Sequence, residues 1–271
     1  NTLLGGNLRF QALAEPFLMF GDGPIIPFFE ELPAGSRLIT ATDTERRALL
    51  RDKTFREDFR KDWLADDEKL FHCNLDDMKI VGCPDTFVVG KTFGQVARER
   101  KVDAVECLLD TAIRWASEAA NDRPSARKHL LGHKYTLPGF NDSGAHNRNM
   151  AFQDGALQML RQAVEDPAWI SIERAVQRLT SEPAEWLGLK GIGTIQRGQQ
   201  ADIAVLDPAK LTSNLGAPVE YTDERIGHMR VVKRSDGVVS NVVVNGKMAY
   251  SDGAFADTLG KEKYGRLLRR K

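Results

Sequence analysis

The sequence is short of cysteine, short of histidine, balanced in charge and free of long apolar runs, and each shortage removes a class of protein. There are 3 cysteines in 271 residues. Cys73, Cys83 and Cys107 make neither an even disulfide framework nor the paired spacing of a zinc knuckle. Free thiols in a reducing cytoplasm are the expectation. Lys plus Arg and Asp plus Glu number 38 each, giving a formal net charge of +0 and a pI near 7.1. That balance offers no electrostatic footprint for nucleic acid or for an anionic membrane surface. No apolar stretch approaches the roughly 20 residues of a membrane-spanning helix. No basic region followed by an apolar segment opens the chain, so no secretory signal is visible. The expectation is a cytoplasmic protein with neither nucleic acid nor membrane as partner. The 5 histidines are His72, His129, His133, His146 and His228, and no two of them form a His-x-His pair.

What is present suffices for a substantial core. With 42% hydrophobic residues, the chain can build one large domain or a domain with a small satellite. Residues 1–30 alternate apolar pieces with Gly and Pro, which reads as loops with a short strand or helical turn. Their density of Phe argues against a solvated terminus. Residues 44–64 read as two helices, with Thr44 capping the first and Thr54 with Glu57 at capping-box spacing for the second. Phe55, Phe59 and Trp63 share one face. Met78–Val81 and Thr86–Val89 read as strands separated by Cys83-Pro84. Thr92 with Gln95 repeats the capping-box spacing. Asp103 with Glu106 opens a helix whose apolar stripe runs Val105, Leu108, Leu109, Ala112, Ile113, Ala116. Residues 121–128 read as a polar linker. Leu157–Val164 reads as a helix, Ser171 as the cap of another with Ile172, Ala175, Val176 and Leu179 on one face, and Thr180–Pro183 as the start of a third. After Gly188 the period falls from 3.6 to about 2. Ile203–Leu206 is then a strand, and Asn245-Gly246 between Val242–Val244 and Lys247–Tyr250 marks a hairpin. The basic tail from Gly260 reads as solvated or partner-facing.

The stretch richest in chemistry is Leu137-Pro-Gly-Phe-Asn-Asp142-Ser-Gly-Ala-His146. It is apolar at its start and ends in a carboxylate among small residues, the profile of a strand that stops at an active-site rim. The same residue types also build surface turns. His146 follows Asp142 by four positions and could line a pocket or anchor the loop. Arg148 could hold a substrate carboxylate, because its guanidinium fork fits that group, or could be a solvated loop residue. Other patterns are weaker. Gly90-Lys91-Thr92 lacks the earlier glycine of a P-loop, since position 85 is Asp. Ser143 lacks the glycine two positions before it that a nucleophile elbow requires. His72 and Cys73 are adjacent and would point to opposite faces of a strand. His129 and His133 stand four apart, as a helical metal pair would, but Gly132 lies between them.

Taken with the Leu157–Val164 helix, the run Ser171-Ile-Glu-Arg-Ala-Val-Gln-Arg-Leu-Thr-Ser-Glu-Pro-Ala184 and the segment from Gly193 to Asp207, this stretch resembles the closing third of the amidohydrolase superfamily. It is most similar to the N-acyl-D-amino-acid deacylase (D-aminoacylase) branch, and residues 90–110 resemble a helix pair of that branch. The resemblance implies an α/β fold: the C-terminal part of a metal-dependent-hydrolase TIM-type (β/α) barrel over residues 1–190, with an N-terminal insertion, and a small β-sandwich subdomain over residues 191–271. It implies Asp142 as catalytic acid/base and metal-facing carboxylate, and Zn2+ as cofactor; His146 and Arg148 remain the substrate-side candidates that their own residue types suggest. The implied substrate is a small N-acyl amino acid or related amide. The family's carboxylate-binding arginine usually sits further downstream, where this chain has Gln153 and Asp154.

The early metal-ligand motif of the superfamily has no counterpart here, and three or four strand-helix units are visible rather than eight. The chain starts at Asn1 rather than Met. The expectation is therefore the C-terminal part of a split or truncated barrel, with the ligands on a missing N-terminal segment or complementary chain, and homo-oligomerisation open. The alternatives are a catalytically incomplete fragment or pseudo-enzyme subunit that acts by docking, and a cyclic amidase of the hydantoinase or dihydroorotase kind.

Overall fold

A computed structural model describes residues 5–23, 26–65, 74–111, 114–118, 124–139, 141, 146–224 and 227–269. The chain is mixed α/β and is built in three neighbourhoods. The first contains the strands β1 (Phe10–Ala12) and β2 (Leu18–Asp22), the helices α1 (Pro33–Thr40), α2 (Asp43–Leu49) and α3 (Lys53–Leu64), the strand β3 (Lys79–Gly82), the helices α4 (Phe93–Arg100) and α5 (Ala104–Asp110), and the strand β4 (Arg114–Glu118). β2, β4 and β3 form an antiparallel sheet with β4 at its centre. Helices α1 and α3 to α5 contribute to a core containing Phe29, Leu38, Phe55, Phe59, Met78, Ile80 and Phe93, each 1% exposed or less. Burial of each such side chain contributes about 1.5–3 kcal/mol, so this cluster anchors the neighbourhood.

Local signals explain most of these boundaries. Thr92 and Gln95 form the capping box of α4. The Asp103 side chain accepts from the backbone N–H groups of Val105 and Glu106 and so starts α5. The caps of α2 and α3 are Thr42 and Asp52 rather than Thr44 and Thr54, because both offer an accepting side-chain oxygen two residues earlier. Two expectations fail. Thr86–Val88 is a 3-10 turn, with Asp85 accepting from the Phe87 N–H. The helix from Asp103 stops at Asp110, and Arg114–Glu118 is a strand. Its apolar spacing continued at helical period, but pairing on both sides to β2 and β3 outweighs that local preference.

The second neighbourhood holds α6 (Pro124–Gly132), β5 (Thr136–Pro138), α7 (Gly155–Glu165), α8 (Ile172–Leu179) and α9 (Ser181–Leu187). Helix α6 takes up most of the stretch that reads as a linker, with Pro124 in its first turn. β5 pairs with β1 in parallel, Phe10 opposite Thr136 and Ala12 opposite Pro138. This is the one parallel ladder among the described strands, fewer parallel units than the sequence suggested. The crossover between β1 and β5 carries the rest of the first neighbourhood, from β2 to β4, as an insertion. Ser171 caps α8 as expected, accepting from the Arg174 N–H.

The third neighbourhood comprises β6 (Ile203–Leu206), α10 (Pro208–Ser213), β7 (Val219–Asp223), β8 (His228–Val232), β9 (Val239–Val244), β10 (Lys247–Ser251) and β11 (Ala254–Phe255). Its antiparallel sheet runs β11-β10-β9-β6, and β7 pairs with β8 separately. Asn245 and Gly246 turn the β9–β10 hairpin with φ of 50° and 81°, the two positive values that this tight turn demands. Leu211 and Val238 share a core with Leu131, Met159, Leu160 and Ala175, so the small sheet is packed onto α7 and α8. No helix among the described residues is long and apolar enough to cross a membrane.

Candidate active site

Strand β5 leads toward Asp142. Its first residue, Thr136, is buried, and the Tyr135 carbonyl accepts from the Phe10 N–H at 2.9 Å. The chain leaves the strand at Gly139, whose φ is 139°, a conformation that L side chains avoid and glycine supplies. Phe140 and Asp142 through Ala145 lie outside the described residues, and with them the principal candidate, Asp142. His72 and Cys73 also lie outside.

The chain is described again from His146, where it forms a tight turn. The His146 carbonyl accepts from the N–H groups of Asn149 and Met150, both at 2.8 Å. Two strands hold this turn from either side. From β2, the Phe20 N–H donates to the Asn149 carbonyl at 2.7 Å, and the Asn149 side-chain amide donates back to the Phe20 carbonyl at 2.7 Å. From β8, the Val231 N–H donates to the Asn147 carbonyl at 2.7 Å. His146 and Arg148 thus sit two residues apart on one anchored turn, both partly buried. Behind it Met150, Ala151 and Phe152 are buried.

Two buried charge networks support the site, and neither was legible in the sequence. The first is Arg178 on α8, whose side chain is 0% exposed. Its guanidinium donates to the carbonyls of His133, at 3.0 Å, and Thr136, and pairs with Glu182 at 3.1 Å. It therefore grips the entry to β5. Desolvation pulls its pKa down and Glu182 opposes that fall; an arginine remains charged regardless. The second is Lys233, just after β8. Its ammonium meets Glu15, in the β1–β2 connection, and Asp154, immediately before α7, the latter at 3.1 Å. Asp154 also accepts from the Gln158 amide at 2.6 Å. Burial raises the Glu15 pKa above its ordinary value, against the lowering effect of Lys233. Asp154, where the deacylase pattern would place its arginine nearby, is thus committed to an internal ion pair. Nothing in the local pattern signals either network, because Glu15 and Lys233 are 218 positions apart.

Among the described residues no group of three or more His, Cys, Asp or Glu side chains converges as a metal site would. The rings of His129 and His133 lie 5.8 Å apart, but His133 Nδ1 accepts from the Tyr135 N–H at 3.3 Å. His228 falls in β8. The described donor set therefore does not fit the zinc centre that the resemblance implies.

Residues 126–249 match the model of the amidohydrolase family. An uncharacterized protein of Mycobacterium tuberculosis is 38% identical over 292 residues, covering 99% of this chain and 47% of that protein. A 5-methylthioadenosine/S-adenosylhomocysteine deaminase of Bacillus cytotoxicus is 33% identical over 125 residues, 45% of this chain and 27% of the enzyme. Among solved structures, a D-aminoacylase is similar with a TM-score of 0.45 and 22% identity, over 71% of this chain and 38% of that one. The chain spans about half the length of the mycobacterial relatives, 47%.

Proposed function

We propose, from the match of residues 126–249 to the amidohydrolase family model, that this chain is the Asp142-bearing part of a hydrolase that cleaves C–N bonds. The substrate class we assign is a small N-acyl amino acid, with the D-aminoacylase kind of activity. The observation that carries this reading is the chain on either side of residues 142–145: a parallel strand pair and an exit at Gly139 that needs glycine before them, and a turn at His146 fastened from two sides after them. A carboxylate between two such fixed points can be held in one place, as proton transfer requires.

Hydrolysis of the amide adds water across the carbonyl–nitrogen bond. As the water oxygen attacks the carbonyl carbon, the Asp142 carboxylate takes its proton. When the C–N bond breaks, Asp142 returns that proton to the leaving nitrogen, so the products are a carboxylic acid and an amine and Asp142 is regenerated. Arg148 holds the carboxylate of the amino-acid portion, and His146 lines the same side. Zn2+ is the cofactor expected of such an enzyme, but the described donors do not form its site. Its ligands belong to a complementary segment, in keeping with relatives about twice as long.

A second reading has its own support. The similarity to a deaminase over 125 residues favours an exocyclic amine on a purine nucleoside as the bond cleaved, with the same proton accounting. Turnover of a panel of N-acyl-D-amino acids against adenosine derivatives, by the chain joined to its complementary segment, separates the two. Release of amino acid supports the deacylase reading; release of ammonia from the nucleosides overturns it in favour of the deaminase.

A further inference from the structure

The segment 146–154 is bound to the rest of the molecule by backbone bonds near its start and by charge at its end. Asn147 and Asn149 are fastened to β8 and β2. At the far end Asp154 meets Lys233, which emerges from that same β8, and Lys233 meets Glu15, which precedes that same β2. The two strands that clamp the turn are thus tied to each other, and to the foot of the turn, by one ammonium.

Burial makes this an unusual way to join three segments. The side chains of Lys233, Asp154 and Glu15 are 5%, 6% and 14% exposed. With every group ionised the cluster carries one surplus negative charge, and the Glu15 Oε1 atom is buried without a hydrogen bond. An apolar plug would avoid that desolvation cost, but it could slide, whereas an ion pair with fixed partners selects one arrangement. A pocket of about 120 Å³, partly open to solvent, lies between Pro16, Phe20, Phe152 and Lys233.

We infer that Lys233 is a positioning residue: held by Glu15 and Asp154, it fixes the 146–154 segment against β2 and β8 and thereby sets where His146 and Arg148 stand. That these two side chains meet substrate rests on the hydrolase reading above; the anchoring does not. Hydrogen exchange on the 271-residue chain, read by mass spectrometry without substrate, tests the anchoring. Lys233→Met is expected to raise exchange of amides in 147–154 about tenfold, with those of α3 and of the β9–β10 hairpin within about twofold of wild type. Should Lys233→Met fail to fold, Asp154→Asn keeps the Glu15–Lys233 pair, leaves an amide oxygen for Gln158, removes the charge that ties the segment to Lys233, and is expected to give the same local rise. A uniform rise across all elements, or no rise at 147–154 in the variant that folds, overturns the inference. In the reconstituted enzyme Asp154→Asn is expected to raise KM more than it lowers kcat. A fall in kcat at unchanged KM contradicts the positioning role, and absence of hydrolysis in the wild type counts against the hydrolase reading alone.

Discussion

Removing the guanidinium of Arg178 gives the sharpest test of how β5 is held. Arg178→Met keeps length and apolar volume but withdraws the donors to the carbonyls of His133 and Thr136. The Thr136 residue is 2% exposed, so water cannot readily replace the lost donor there. A buried acceptor left unmatched costs about 1–3 kcal/mol. Glu182 is 25% exposed and keeps Arg174 as a partner, so its share of the loss is small. The His133 carbonyl keeps the Thr136 N–H as donor at 3.0 Å, so the Thr136 carbonyl alone sets the expected destabilisation at about 1–3 kcal/mol. At this chain length each kcal/mol moves Tm by about 2–4 °C, which makes a fall of about 6 °C the expected calorimetric result. Arg178→Lys keeps the charge but not the fork and is expected to recover about half. A Tm within about 2 °C of wild type for Arg178→Met would refute the claim that this residue fastens the strand.

Two further outcomes follow from the same geometry. Burial raises the Glu15 pKa above 4.5, with Lys233 opposing and Asp154 reinforcing the rise; the folded state therefore binds that proton more tightly than the unfolded chain. Stability from Glu15 is present below its ordinary value and is lost as pH rises through the raised folded value. Glu15→Gln is expected to remove that loss, so urea midpoints of variant and wild type diverge as pH is raised from 4 to 7; a pH-independent difference refutes it. Asp103→Ala deletes the acceptor for two N–H groups at the start of α5 and is expected to cost about 1 kcal/mol by urea denaturation, with no loss if the cap is idle.

The parts of the fold legible in sequence are those decided within a few residues. The Thr92–Gln95 box, the Asp103 and Ser171 caps and the Asn245-Gly246 turn are local chemistry, and each stands where its spacing put it. Local reading failed where distant pairing intervened. Residues 112–116 continue a helical stripe, yet Arg114–Glu118 is the central strand of a sheet whose neighbours are β2 and β3. The same limit hid the supporting charges. Arg174 and Arg178 look alike in sequence; only the carbonyls of His133 and Thr136 distinguish them. Lys233 is ordinary until Glu15 and Asp154 are brought to it. The resemblance pointed to the amidohydrolase family, and the match over residues 126–249 bears it out.

The proposal turns most directly on Asp142→Asn, measured in the chain joined to its complementary segment. Loss of the proton carrier is expected to lower kcat by about 10²–10⁴-fold, with Tm unchanged because the substitution preserves shape. Turnover within a few-fold of wild type would contradict it and remove Asp142 from the reaction.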